Sequence, residues 1–137
     1  MISALIDAGP IIALFDKDDQ NHRRVMDFME NFEGRLISTW PVLTEVSYML
    51  DFNKQTQLDF IDWVAEGGIE LHNLEQWQLI NIRKVINTYA DLPADFADAS
   101  LIITAEARNI KSMISLDSDF GVYKLRNGSF FDNLLIE

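Results

Sequence analysis

Short apolar runs alternate with longer stretches of helical periodicity along the whole chain, and this alternation constrains its fold more than any other feature. Residues 2–6 (ISALI) are apolar except for Ser3, as a strand buried on both faces would be. Gly9-Pro10 breaks that strand and starts a short helix through Ile11, Ile12, Leu14 and Phe15. A polar loop from Asp16 to Asn21 leads to a helix over about 22–32, and residues 35–38 (RLIS) form a second strand. Pro41 sits as a first helical residue, with Thr39 just upstream as a candidate cap, and opens a helix running to about Asp51. Residues 57–65 and 77–89 are amphipathic helices around a short strand at 69–71. Pro93 is expected to open another helix to about Arg108, before a fourth strand at 112–116 (SMISL) and a weakly apolar tail at 130–136. Strands separated by helices imply βα units and a parallel sheet covered on both faces, an α/β sandwich.

With 137 residues, 48% of them apolar, a single domain over 1–137 is expected, and disorder is excluded. No apolar run approaches the ~18 residues of a membrane span. The start, MISALID, has no basic region and meets Asp7 at once, so no signal peptide is expected and the chain reads as soluble and cytoplasmic. The absence of Cys excludes disulfides, thiolate zinc sites and a Cys nucleophile, and the two His leave little for a His-based metal site or a Ser-His-Asp triad. The net charge of −11 argues against nucleic acid, whose binding rests on Lys and Arg, unless divalent cations supply positive charge.

The positions of the acids make that condition specific. Asp7 follows the first strand and Asp117 the fourth, with Asp119 two residues on. In open parallel sheets, sites form outside the carboxyl ends of the strands. Glu45 shares a helical stripe with Val42, Val46 and Met49, and Asp98 shares one with Leu101, Ile102 and Ala105. A carboxylate on an inward stripe needs compensation. Ion pairing is one source, but the nearest bases, Arg108, Lys111 and Lys124, lie at element ends or in loops. Carboxylates without His or Cys suit Mg²⁺ or Mn²⁺, which activate water and stabilise the leaving oxygen of a phosphodiester.

The segments LIDAGPIIALFDKDDQNHRRV, STWPVLTEVSYML, LPADFADASLIITAEARNI and ISLDSDFGVYK, in this order, resemble the PIN-domain ribonucleases, in particular the VapC-type toxins of toxin–antitoxin modules. The resemblance spans Ile2 to about Lys124. It implies a PIN-like α/β/α sandwich with a mainly parallel sheet of four to five strands. It assigns the family's acids to Asp7, Glu45, Asp98 and Asp117, both catalytic and metal-binding, and its small hydroxyl residue to Ser115. It implies Mg²⁺ or Mn²⁺, an RNA substrate, a homodimer and, for the toxin branch, an antitoxin that blocks the site. Asp95 is either a fifth acid of the site or a first-turn acid favoured by the helix dipole, and Asp119 either supports the metal or caps the turn before Phe120. The alternatives in function are a catalytically silent PIN-fold binding module and a PIN nuclease of RNA processing without an antitoxin.

Other motifs carry less. Asp16-Lys17-Asp18-Asp19 lacks the Gly and Glu of a calcium loop and reads as a solvated turn. His22-Arg23-Arg24 is either a phosphate contact or a surface patch, and His72 reads as structural. Trp40, Trp63 and Trp77 are expected in the core or an interface and not as base-stacking platforms. A phosphorylation receiver would need an acidic pair after the first strand and a Lys after the last, and neither is present.

Overall fold

The computed structural model describes residues 1–136. Five strands form one sheet in the order β3-β2-β1-β4-β5, with every neighbouring pair parallel. They are β1 (Ile2–Ile6), β2 (Gly34–Ser38), β3 (Glu70–Leu71), β4 (Ser112–Ile114) and β5 (Asp132–Asn133). Six helices flank them: α1 (Ala8–Phe15), α2 (His22–Asn31), α3 (Trp40–Met49), α4 (Lys54–Ala65), α5 (Leu79–Thr88) and α6 (Phe96–Arg108). This is the expected α/β/α sandwich, and the weakly apolar tail supplies the fifth strand.

Burial explains the centre of the sheet. Leu5 and Ile6 of β1, Ile37 of β2, and Met113 and Ile114 of β4 are fully buried, so the carboxyl-terminal parts of these strands have no solvent face. Helix α1 packs on α2, α3 and α4, while α5 packs on α6. The chain moves outward from β1 through β2 to β3, then crosses back to place β4 on the other side of β1. The pair β1/β4 is therefore the point where strand order reverses, the crevice favoured by ligands in such sheets.

Capping moves several helix starts from their expected places. Pro93 lies in a turn and α6 begins at Phe96, because the Asp95 side chain accepts from the Asp98 amide at 2.8 Å and supplies the cap. Helix α4 begins at Lys54, three residues early, since Asn53 caps it through the Thr56 amide. A reciprocal Glu75–Gln78 pairing shapes residues Gln76–Gln78 into a 3₁₀ turn before α5. Thr39 precedes α3, but its hydroxyl meets that of Ser100 at 2.7 Å and caps nothing. Strand β4 ends at Ile114, where Ser115 turns to the Asn133 side chain.

The tryptophans divide. Trp63 is half-buried against Phe15, whereas Trp40 and Trp77 are 58% and 68% exposed and are not core residues. The His22 ring bonds the Ala13 carbonyl and Arg24 donates to the Leu135 carbonyl, so both tie the fold together. No helix among the described residues is long and apolar enough to cross a membrane.

Candidate functional site

Asp7 stands one residue past β1, and its amide donates to the Ile114 carbonyl of β4, which locks it across the reversal point. Asp117 leaves β4 through a short turn that the chain itself organises: the Asp117 amide donates to Ser115 Oγ at 2.9 Å. The Asp117 carboxylate in turn accepts from the Asp119 amide at 2.9 Å and caps the 3₁₀ turn Ser118–Gly121. Asp98 comes from the first turn of α6. One carboxylate oxygen from each of Asp7, Asp98 and Asp117 falls within 4.8 Å of the others.

Each carboxylate is oriented by a donor. Ser115 Oγ donates to Asp7 Oδ2 at 3.2 Å, and the hydroxyl of the fully buried Tyr123 donates to Asp98 Oδ2 at 3.2 Å. No Arg or Lys among the described residues neutralises them. The ion pairs among the described residues are Arg23–Asp27, Arg35–Glu70, Arg108–Glu70 and Arg126–Glu106, none of which reaches the cluster. Burial accordingly pushes the Asp7 carboxyl from 3.8 up to about 7, with repulsion from Asp98 and Glu45 adding to it against the pull of the Ala8 amide and Ser115. Burial, then repulsion from Asp95, lifts Asp98 to about 6. Burial first and the Asp98 charge next raise Tyr123, which keeps it a hydrogen-bond donor.

Glu45 departs from the expected inward stripe. Val42 and Val46 are buried, but Glu45 and Met49 are exposed, and Glu45 lies outside the three-carboxylate cluster. One residue before Val46, it is turned by about 100° from the buried line of the helix. It remains close enough for its charge to act on Asp7, and partial burial followed by repulsion from Asp95 raises its own carboxyl. Asp95 is the N-cap of α6, and Asp119 lends its backbone amide to Asp117; the cluster includes neither side chain. The Asp16–Asp19 turn is satisfied by its own backbone amides and gathers no acidic cluster.

The profile of the PIN domain family matches residues 4–124, most of the chain. The chain belongs to the PIN domain family. Ribonuclease VapC26 of Mycobacterium tuberculosis is similar at 22% identity over 115 residues, 82% of this chain and 85% of that protein. Among solved PIN-like structures, the sarcin–ricin-loop-cleaving toxin VapC20 of M. tuberculosis superposes with a TM-score of 0.79 at 12% identity, covering 87% of this chain and 93% of that one. VapBC2 of Rickettsia felis, bound to a DNA fragment of its promoter, matches with a TM-score of 0.64 at 13% identity over 97% and 98% of the two chains. The resemblance to VapC-type PIN proteins read from the four segments is thus borne out. In this PIN fold, Asp7, Asp98 and Asp117 meet at the carboxyl ends of β1 and β4, while Glu45 stands apart at the edge.

Tyr123 is the site residue that sequence reasoning passed over. Its only local signal is a phenol inside the otherwise apolar run that follows Asp117 and Asp119.

Proposed function

We propose that the chain is a divalent-metal-dependent endoribonuclease and the toxin of a toxin–antitoxin module, acting in the cytoplasm. The observation that carries this reading is the convergence of three carboxylates from three elements, with no Arg or Lys paired to them among the described residues. Held so close, with Asp7 buried and Asp98 half-buried, they oppose folding unless a cation offsets their charge. An all-oxygen donor set suits Mg²⁺ or Mn²⁺, and Asp7, Asp98 and Asp117 would hold it. When bound, such an ion supplies the positive charge that polarises a phosphodiester toward attack by water.

The chain's own groups prepare the site. Ser115 links Asp7 to Asp117 by accepting the Asp117 amide and donating to Asp7, so the acids of β1 and β4 keep one geometry. Tyr123 and the Asp95 amide both address Oδ2 of Asp98, which leaves Oδ1 for a ligand. Glu45 acts from the rim through its charge on Asp7. RNA as substrate is supported by the ribonuclease among the relatives, and an antitoxin as partner by the solved VapBC assembly.

The test is cleavage of single-stranded RNA by the purified protein in Mg²⁺ or Mn²⁺. Activity is expected to vanish in EDTA and in Asp98→Asn. Undiminished cleavage in EDTA, with contaminating nuclease excluded, overturns the metal role. Growth arrest on expression, relieved by the product of an adjacent reading frame, is the expected result for a toxin, and its absence refutes that part alone.

A further inference from the structure

Trp40 and Phe96 are the first residues of α3 and α6, at the end of the sheet that carries the carboxylates. Phe96 is two residues before Asp98, and Trp40 follows Thr39, whose hydroxyl meets that of Ser100 on α6. Both aromatics line one cavity of about 390 Å³, which Leu79, Ile82, His72, Glu75 and Gln76 also line. They are 58% and 46% exposed, so packing does not account for their size. Trp40 is nonetheless held in place, since its indole N–H donates to Asn73 Oδ1 at 2.9 Å.

Charge selects the occupant. The chain carries −11, Glu75 lines the cavity and Asp95 immediately precedes Phe96, so a phosphate backbone is repelled here. Counterion release by Lys and Arg, the usual source of nucleic-acid affinity, is correspondingly weak. Affinity for a single strand then has to come from uncharged contacts, and stacking of a base on an aromatic face is the strongest of these. A second copy seated symmetrically on this cavity would instead bring its own Glu75 and Asp95 against the same acids.

We infer that this cavity receives one unstacked nucleobase of a single-stranded RNA, beside the phosphate at the carboxylates, with Trp40 and Phe96 as its stacking faces. The inference rests on the ribonuclease reading above. His72 and Gln76 offer a ring nitrogen and an amide to the edge of such a base, which makes this cavity the place where base preference is set.

The experiment measures binding of end-labelled six-nucleotide RNA homopolymers of each base, and of an abasic ribose–phosphate chain of equal length, with Ca²⁺ in place of Mg²⁺ to limit cleavage. Trp40→Ala and Phe96→Ala are each expected to weaken the best-bound homopolymer by roughly 5- to 150-fold. Trp40→Phe should restore most of that affinity. The abasic chain should bind all variants alike, affinity should depend only shallowly on salt, and the variants should keep the wild-type mass in sedimentation. An equal loss on the abasic chain, or a change in oligomeric state, overturns the base site in favour of a structural or copy-to-copy role. Homopolymer binding that neither alanine variant weakens overturns the cavity alone. Wild-type protein that binds none of the chains overturns the RNA reading and the cavity together.

Discussion

Replacing Asp7 by Asn in the metal-free protein should raise its stability strongly at pH 8 and much less near pH 4.5, the difference vanishing only below about pH 3.8. Asp7 is 7% exposed, has no cationic partner, and holds its proton up to about pH 7 where an ordinary Asp would lose it near 3.8. Between those values the folded chain binds more protons than the unfolded one, so stability falls as pH rises, and the loss is complete above pH 7. At 1.36 kcal/mol per pH unit the displacement corresponds to about 4 kcal/mol. Asn keeps the shape of Asp, accepts from Ser115, and can turn its amide toward the remaining carboxylates. A gain of about 2–4 kcal/mol at pH 8, or on the order of 10 °C in melting temperature, is therefore expected. Urea and thermal melts in EDTA across pH 4.5–8.5 measure it. Added Mg²⁺ should then stabilise the wild type and not the variant, because an ion that binds only the folded state stabilises it by mass action. A variant no more stable than wild type at pH 8, or a difference that does not shrink toward pH 4.5, refutes the account of Asp7 as an uncompensated acid.

Glu45→Gln should leave most of the Mg²⁺-induced rise in melting temperature intact while Asp117→Asn removes it, since the three-carboxylate cluster includes Asp117 and not Glu45; equal losses would place Glu45 among the ligands. Gly34→Ala should cost about 1–3 kcal/mol in urea melts, because a Cβ there would sit 2.6 Å from the Ile2 carbonyl oxygen, a backbone atom held by the β1–β2 ladder. Gly121→Ala, where a Cβ meets nothing within 4 Å, serves as the near-neutral control. Tyr48, Met49, Phe52, Leu58 and Ile61 of the α3–α4 region are 45–70% exposed, and we expect this face to support a homodimer; light scattering that shows only a 15.7 kDa species at tens of micromolar, by order of magnitude the range where a standard-size interface holds, would remove that expectation.

The strands and the acids at their ends were legible because both are local. An apolar run too short for a helix, ended by Asp7 or followed closely by Asp117, places each acid at the carboxyl end of a buried strand whatever the rest of the chain does. The ordered segments around Asp7, Glu45, Asp98 and Asp117 carried the family as well. Helix starts were read less well where two signals competed. Pro93 suggested one start, but the Asp95 side chain gives the Asp98 amide a hydrogen bond that a proline cannot, and the helix begins there.

What the sequence determined alone is thus the alternation of elements, the absence of thiols and scarcity of imidazole donors, and the surplus of carboxylates that calls for a cation. Only the tertiary structure decided which carboxylates share a site. Glu45 and Asp98 look alike on a helical stripe, yet helical phase differs by about 100° per residue, and that turns one to the rim and the other to the cluster. The donors that orient the cluster come from far along the chain, with Ser115 108 residues from Asp7 and Tyr123 25 residues from Asp98. Their meeting depends on β4 crossing back beside β1, a placement set by burial of both sheet faces and invisible to any local pattern.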